Sequence, residues 1–100
     1  MIENIKEFVE YPQKGILSKE IVKSDKLDVA LFCLARGTAI SEHTSTKQGF
    51  VYVVEGKGTF SLEGQEISMT PGVFIYMKAN SVHSLKADAN TSFILALVGV

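Results

Sequence analysis

The chain holds two histidines, His43 and His83. An imidazole can ligate a metal, move a proton near neutral pH, or hold a ligand through one donor and one acceptor. Each histidine sits in a patterned segment. The first runs Gly37, five residues, His43, Thr44, Ser45, three residues and Gly49, then an apolar stretch that closes on Glu55-Gly56. The second runs from Pro71-Gly72 through an apolar stretch to Lys78, Asn80 and His83. Period-two alternation puts Ser41, His43 and Ser45 on one strand face and Glu42 and Thr44 on the other, so Glu42 is turned away from the imidazole. Gln48 could supply a neutral oxygen only if a bulge turned it inward. Val51 and Val53 share parity with position 49 and are expected to line the same interior.

Other chemistries find less support. Cys33 lies within the apolar run AlaLeuPheCysLeuAla, where it reads as a small buried hydrophobe rather than a reactive thiol. Ser41 and Ser45 lack the flanking glycines of a nucleophile elbow. Gly56-Lys57-Gly58 reads as a hairpin turn between strands, with no helix after it to complete a phosphate cradle. Tyr52 and Tyr76 belong to the outer face or to an interface, and Lys78 is expected to be solvated. Of the pairs Phe74/Tyr76 and Ile75/Met77, one faces inward, and the pattern leaves open which.

Turn residues punctuate the chain at short, even intervals, the signature of an all-β sandwich or barrel. Strands are expected over 16–23, 27–36, 41–45, 50–55, 59–63, 65–69, 73–77, 82–86 and 91–98. Glu63-Gly64 should form a tight hairpin, because glycine supplies positive φ. Ile2, Ile5 and Phe8/Val9 recur at helical spacing until Pro12 stops them, so residues 1–15 read as a short helix or ordered arm ahead of a barrel core of about 16–98. Residues 50–54 and 93–98 are apolar on both faces and must be covered twice. A homodimer is the expected cover, with the N-terminal arm as the alternative.

One hundred residues make a single domain, 1–100. A net charge of -1 without a basic cluster gives no footprint for nucleic acid, and no apolar run approaches the ~20 residues that span a bilayer. The N-terminus carries acids where an export signal needs a basic segment, and the single cysteine cannot form an internal disulfide. A cytoplasmic location is expected.

Together the two histidine segments resemble the cupin superfamily over about residues 35–98. In that family the first motif reads Gly, five residues, His-x-His, three or four residues, Glu, six residues, Gly. Gly37, His43 and Gly56 match it, while Ser45 stands at the second His and Gly49 at the Glu. In the second motif Gly72 and His83 match; Lys78 replaces Pro, Asn80 replaces Gly and Ala87 replaces Asn. Asn80 tolerates the left-handed conformation such a turn needs. The resemblance implies an all-β double-stranded β-helix, a jelly-roll barrel, with a metal held by two His and a Glu of the first motif and the His of the second. Of those ligands only His43 and His83 remain.

The expected function is therefore a small-molecule-binding barrel with no metal, or a weakly bound divalent one, and no defined reaction. Its pocket would be lined by His43, Ser45, Gln48, Val51, Val53 and His83, and would suit a small, partly apolar molecule that is anionic or bears a carbonyl. The alternative is a metal-dependent, dioxygenase- or isomerase-like enzyme. It would use His43 and His83 with Ser45 or Gln48 and waters around manganese, iron, nickel or zinc. A third possibility is a structural dimerisation module with an inert pocket.

Overall fold

The computed structural model describes residues 3–99, so the expectation for Ile2 lies outside the described residues. One helical turn, α1 (Ile5–Phe8), opens the chain, and the Asn4 side chain caps it by accepting from the Lys6 N–H at 3.1 Å. Nine strands follow among the described residues: β1 (Ile16–Lys23), β2 (Leu27–Leu34), β3 (Ala39–His43), β4 (Gln48–Glu55), β5 (Gly58–Leu62), β6 (Gln65–Met69), β7 (Phe74–Met77), β8 (His83–Ala87) and β9 (Thr91–Val98). No helix among the described residues is long and apolar enough to cross a membrane.

The strands form two antiparallel sheets, one ordered β1-β2-β9-β4-β7 and the other β3-β8-β5-β6. Their facing sides enclose a core that includes Leu34, Val51, Val53, Phe60, Met69, Ile75, Leu85 and Phe93. This is an all-β jelly-roll barrel, as the turn spacing and the motif resemblance imply. Period-two burial settles the pair left open in β7, because Ile75 and Met77 are buried whereas Phe74 and Tyr76 are exposed.

Local chemistry explains the turns. Leu62 pairs with Gln65 across Glu63-Gly64, whose φ values of 48° and 81° give the two-residue turn that twists with its strands. Gly56-Lys57-Gly58 differs from expectation. It joins β4 of one sheet to β5 of the other, so it is a corner between layers rather than a hairpin. The Thr91 hydroxyl fixes this corner by accepting from the Lys57 N–H at 3.1 Å and lying 3.0 Å from its carbonyl.

The arm is tied down by side chains. The Tyr11 hydroxyl donates to Glu55 Oε1 at 2.6 Å and lies 3.1 Å from Ser92 Oγ, and Lys19 pairs with Glu10 at 2.9 Å. Ser92 pairs with Cys33 across β2 and β9, so the arm reaches the outer face of the five-stranded sheet at its middle strands. There Leu31, Cys33 and Ala96 are fully buried.

Candidate functional site

The two histidines meet. They stand forty positions apart in the chain, but β3 and β8 are neighbours, and His43 pairs directly with His83. Their ring centroids lie 4.1 Å apart with the planes at 64°. His83 is buried, whereas His43 stands at the rim and is exposed.

A β-bulge makes this meeting possible. Ile40 pairs with Leu85, yet His43 pairs with His83, so one extra residue of β3 is taken up between Ile40 and His43. Strict alternation would put Ile40 and His43 on opposite faces. The bulge resets the phase, and both line the interior. Ser41 and Glu42 are left together on the outer face, beside Ser61, Ser84 and Lys86. The expected sharing of one face by Ser41, His43 and Ser45 is thereby corrected.

Each imidazole is held by its own chain. His43 Nδ1 lies 2.9 Å from the Ser41 carbonyl oxygen, and His83 Nδ1 lies 3.0 Å from that of Ser81. A carbonyl only accepts, so both Nδ1 atoms carry hydrogen and in the neutral rings both Nε2 atoms carry a lone pair. The sequence shows no carboxylate placed to fix a tautomer; the backbone does it instead. Burial holds His83 below the ordinary imidazole pKa. The nearby His43 adds to that effect and the Ser81 carbonyl opposes it.

The rings open onto a cavity of about 300 Å³ between the sheets. Phe60, Phe32, Phe93, Val51, Met77 and Leu95 supply most of its wall, with Ile16 and Ile40 also lining it. Phe60 stacks on His83 at 5.9 Å and 6°, and Phe32 on Phe93 at 5.3 Å and 2°. The cavity thus brings His43, His83 and Val51 together, while Ser45, Gln48 and Val53 lie elsewhere. Val53 is fully buried in the core but does not line the cavity. Ser45 lies in the turn after β3, where its hydroxyl accepts from the Lys47 N–H at 3.1 Å and its carbonyl from the Asn80 N–H at 2.6 Å. Gln48 faces outward and accepts from the Tyr76 hydroxyl at 2.8 Å. The bulge it needed is absent, because β4 pairs in unbroken register with β9 from Gln48 to Val53. The sequence does not single out Phe32, Phe60, Phe93 and Leu95, because parity alone does not say which part of a buried face meets a cavity.

A cupin-domain family model matches residues 30–99. The chain belongs to the cupin domain family. Its fold is close to that of a cupin 2 conserved barrel domain protein from Leptotrichia buccalis, at a TM-score of 0.90 and 26% identity over 97% of this chain and 47% of that one. A conserved protein of unknown function from Streptococcus pyogenes aligns at a TM-score of 0.89 and 23% identity, over 100% of this chain and 88% of that one. By sequence, 48 residues are 42% identical to a quercetin 2,3-dioxygenase from Bacillus subtilis (strain 168). That match spans 48% of this chain and 13% of the dioxygenase.

A metal in this cupin would have to find its ligands among the residues present. Catalytic zinc keeps three protein ligands, and non-haem iron keeps two histidines and a carboxylate. No group of three His, Cys, Asp or Glu side chains converges among the described residues. The position of the family's glutamate is also closed. A Cβ built on Gly49 would overlap the Ala96 carbonyl oxygen and stand 2.9 Å from Leu97 Cδ2, so no side chain fits there unless β9 moves. Two imidazoles remain, and this donor set does not fit a three-ligand centre.

Proposed function

We propose that this cupin binds a small organic molecule in the barrel cavity, by apolar contact and through its two imidazoles, without a metal-dependent reaction of its own. The observation that carries this reading is the cavity itself. It is apolar except for His43 and His83, and its volume of about 300 Å³ is that of a small ligand site. A metal centre would have to be completed largely by water, which weakens binding. The reducing compartment expected from a lone, buried Cys33 belongs to the same proposal.

Thermal-shift screening of small aromatic and aliphatic compounds tests the reading. A saturating ligand at about 100 times its Kd should stabilise the fold by about 2.7 kcal/mol. Val51→Phe, which fills the cavity, should abolish the shift. An inert barrel would show no ligand-dependent shift at all.

The metal-dependent reading is favoured by one observation, the local identity with the quercetin dioxygenase. Elemental mass spectrometry of untagged protein separates the two. Metal well below one equivalent per chain is expected. A full equivalent, lost in both His43→Ala and His83→Ala, would overturn the proposal and direct work to oxygenase and isomerase assays.

A further inference from the structure

We propose that the ligand is a neutral one-ring aromatic molecule bearing a hydroxyl, of the phenol class, whose O–H donates to one Nε2 of the His43–His83 pair. This rests on the small-molecule reading and names its ligand class. It also revises the sequence-based expectation of an anion or a carbonyl compound.

The polar inventory of the cavity decides between these classes. Both Nδ1–H groups are committed to backbone carbonyls, at 2.9 and 3.0 Å. Neither Nε2 has a hydrogen-bond partner among the described residues, and no buried side-chain nitrogen or oxygen there is left unsatisfied. The His83 Nε2 therefore meets accessible space, and the space its ring lines is the cavity. Every other lining side chain is apolar. The lining imidazoles therefore offer Nε2 acceptors, and no lining side chain has an N–H or O–H left to donate. A carbonyl or carboxylate would bring lone pairs against lone pairs, whereas a hydroxyl supplies the missing hydrogen. A ligand without one would cover the His83 Nε2 and leave it unpaired, at a cost of about 1–3 kcal/mol.

Charge and shape agree. Beyond Phe32 and Leu95, which border both spaces, the cavity adjoins a trough lined by Ser18, Glu20 and Asp28. Lys23 lies 3.8 Å from Glu20 and 3.4 Å from Asp28, so two carboxylates share one ammonium and the surroundings disfavour an anion. Phe32, Phe60 and Phe93 place aromatic rings in the cavity wall, against which a ligand ring can pack.

The test is calorimetric titration of the whole chain with 4-methylphenol, 4-methylanisole and 4-methylbenzoate at about pH 8, where an ordinary imidazole is neutral. The phenol should bind at least about tenfold more tightly than the ether or the carboxylate, a difference of about 1.4 kcal/mol. His43→Phe, at the exposed rim, should reduce the preference for the phenol over the ether. Nitrogen NMR of the wild-type rings should find hydrogen on Nδ1 of both. An Nε2–H on either ring, or an ether or carboxylate that binds as well as the phenol, overturns the inference and leaves the small-molecule reading standing. Absence of binding by all three probes, together with an empty thermal-shift screen, overturns both.

Discussion

At the scale of single residues, Gly49 carries more than its place in a motif reveals. The sequence identifies it as a glycine where the family has a glutamate, which reads as a missing ligand. The structure adds that β9 has closed over the site, so the loss is steric as well as chemical. Gly49→Ala should therefore destabilise the fold by about 3 kcal/mol, within the range of overpacked cores. Gly49→Glu should do no better and should restore no metal binding. Equilibrium denaturation checks the first point, and an alanine variant as stable as the parent would show that β9 yields freely. Tyr11 gives a second prediction. Burial, followed by its hydrogen bond to Glu55, raises its pKa from 10.0 to about 12. A folded-state pKa above the unfolded value means that the protonated phenol is the stabilising form. Its contribution is full below about pH 10 and is lost as pH rises through about 12. With solvent screening allowed for, about 1 kcal/mol is at stake. Tyr11→Phe should flatten the alkaline limb of stability against pH, and an unchanged limb would assign it to other groups.

At the scale of elements, what could be read from the sequence follows from how local its cause is. The Glu63-Gly64 hairpin was legible because its geometry depends on two residues with positive φ, and glycine announces one of them. Asn80 was legible for the same reason: it adopts φ 67° where the family has glycine, and its N–H meets the Ser45 carbonyl. Asn80→Gly should leave stability within a few tenths of a kcal/mol of the parent, whereas Asn80→Val should cost about 1–2 kcal/mol. A well-tolerated valine in thermal denaturation would mean that the turn relaxes. The β3 bulge was not legible. No glycine marks it, and its cause is non-local, since Ile40 must face Leu85 while His43 must face His83. Gln48 shows the opposite case. Its outward orientation follows from plain alternation on β4, and the suggestion that it turns inward needed a bulge that the continuous pairing with β9 forbids. The corner at Gly56-Lys57-Gly58 reads as a hairpin in the sequence because two glycines specify a turn without saying whether the next strand stays in the same sheet.

At the scale of the whole molecule, the question is what covers the outer face of the five-stranded sheet. Strands apolar on both sides demand a second cover, and the N-terminal arm provides part of it where Tyr11 reaches Ser92 and Glu55. Toward β4 and β7 that cover runs out. Phe50 and Phe74 stack at 4.9 Å, and Tyr52, Phe74 and Tyr76 remain 43%, 59% and 52% exposed. β7 is also a sheet edge only four residues long. Such a contiguous aromatic patch is unusual on a monomer's surface and typical of an interface core. A second copy docked through this face would satisfy the apolar pattern that the arm leaves unmet. The protein should therefore sediment as a dimer. Phe74→Glu combined with Tyr76→Glu should shift it to monomer while leaving the circular dichroism of the barrel intact, because both side chains point away from the core. Parent protein that sediments as a monomer would mean that the arm's partial cover suffices. Because the patch lies on the opposite side of β4 from the Val51 wall of the cavity, the monomeric variant should keep its ligand affinity, so that assembly and binding can be measured separately.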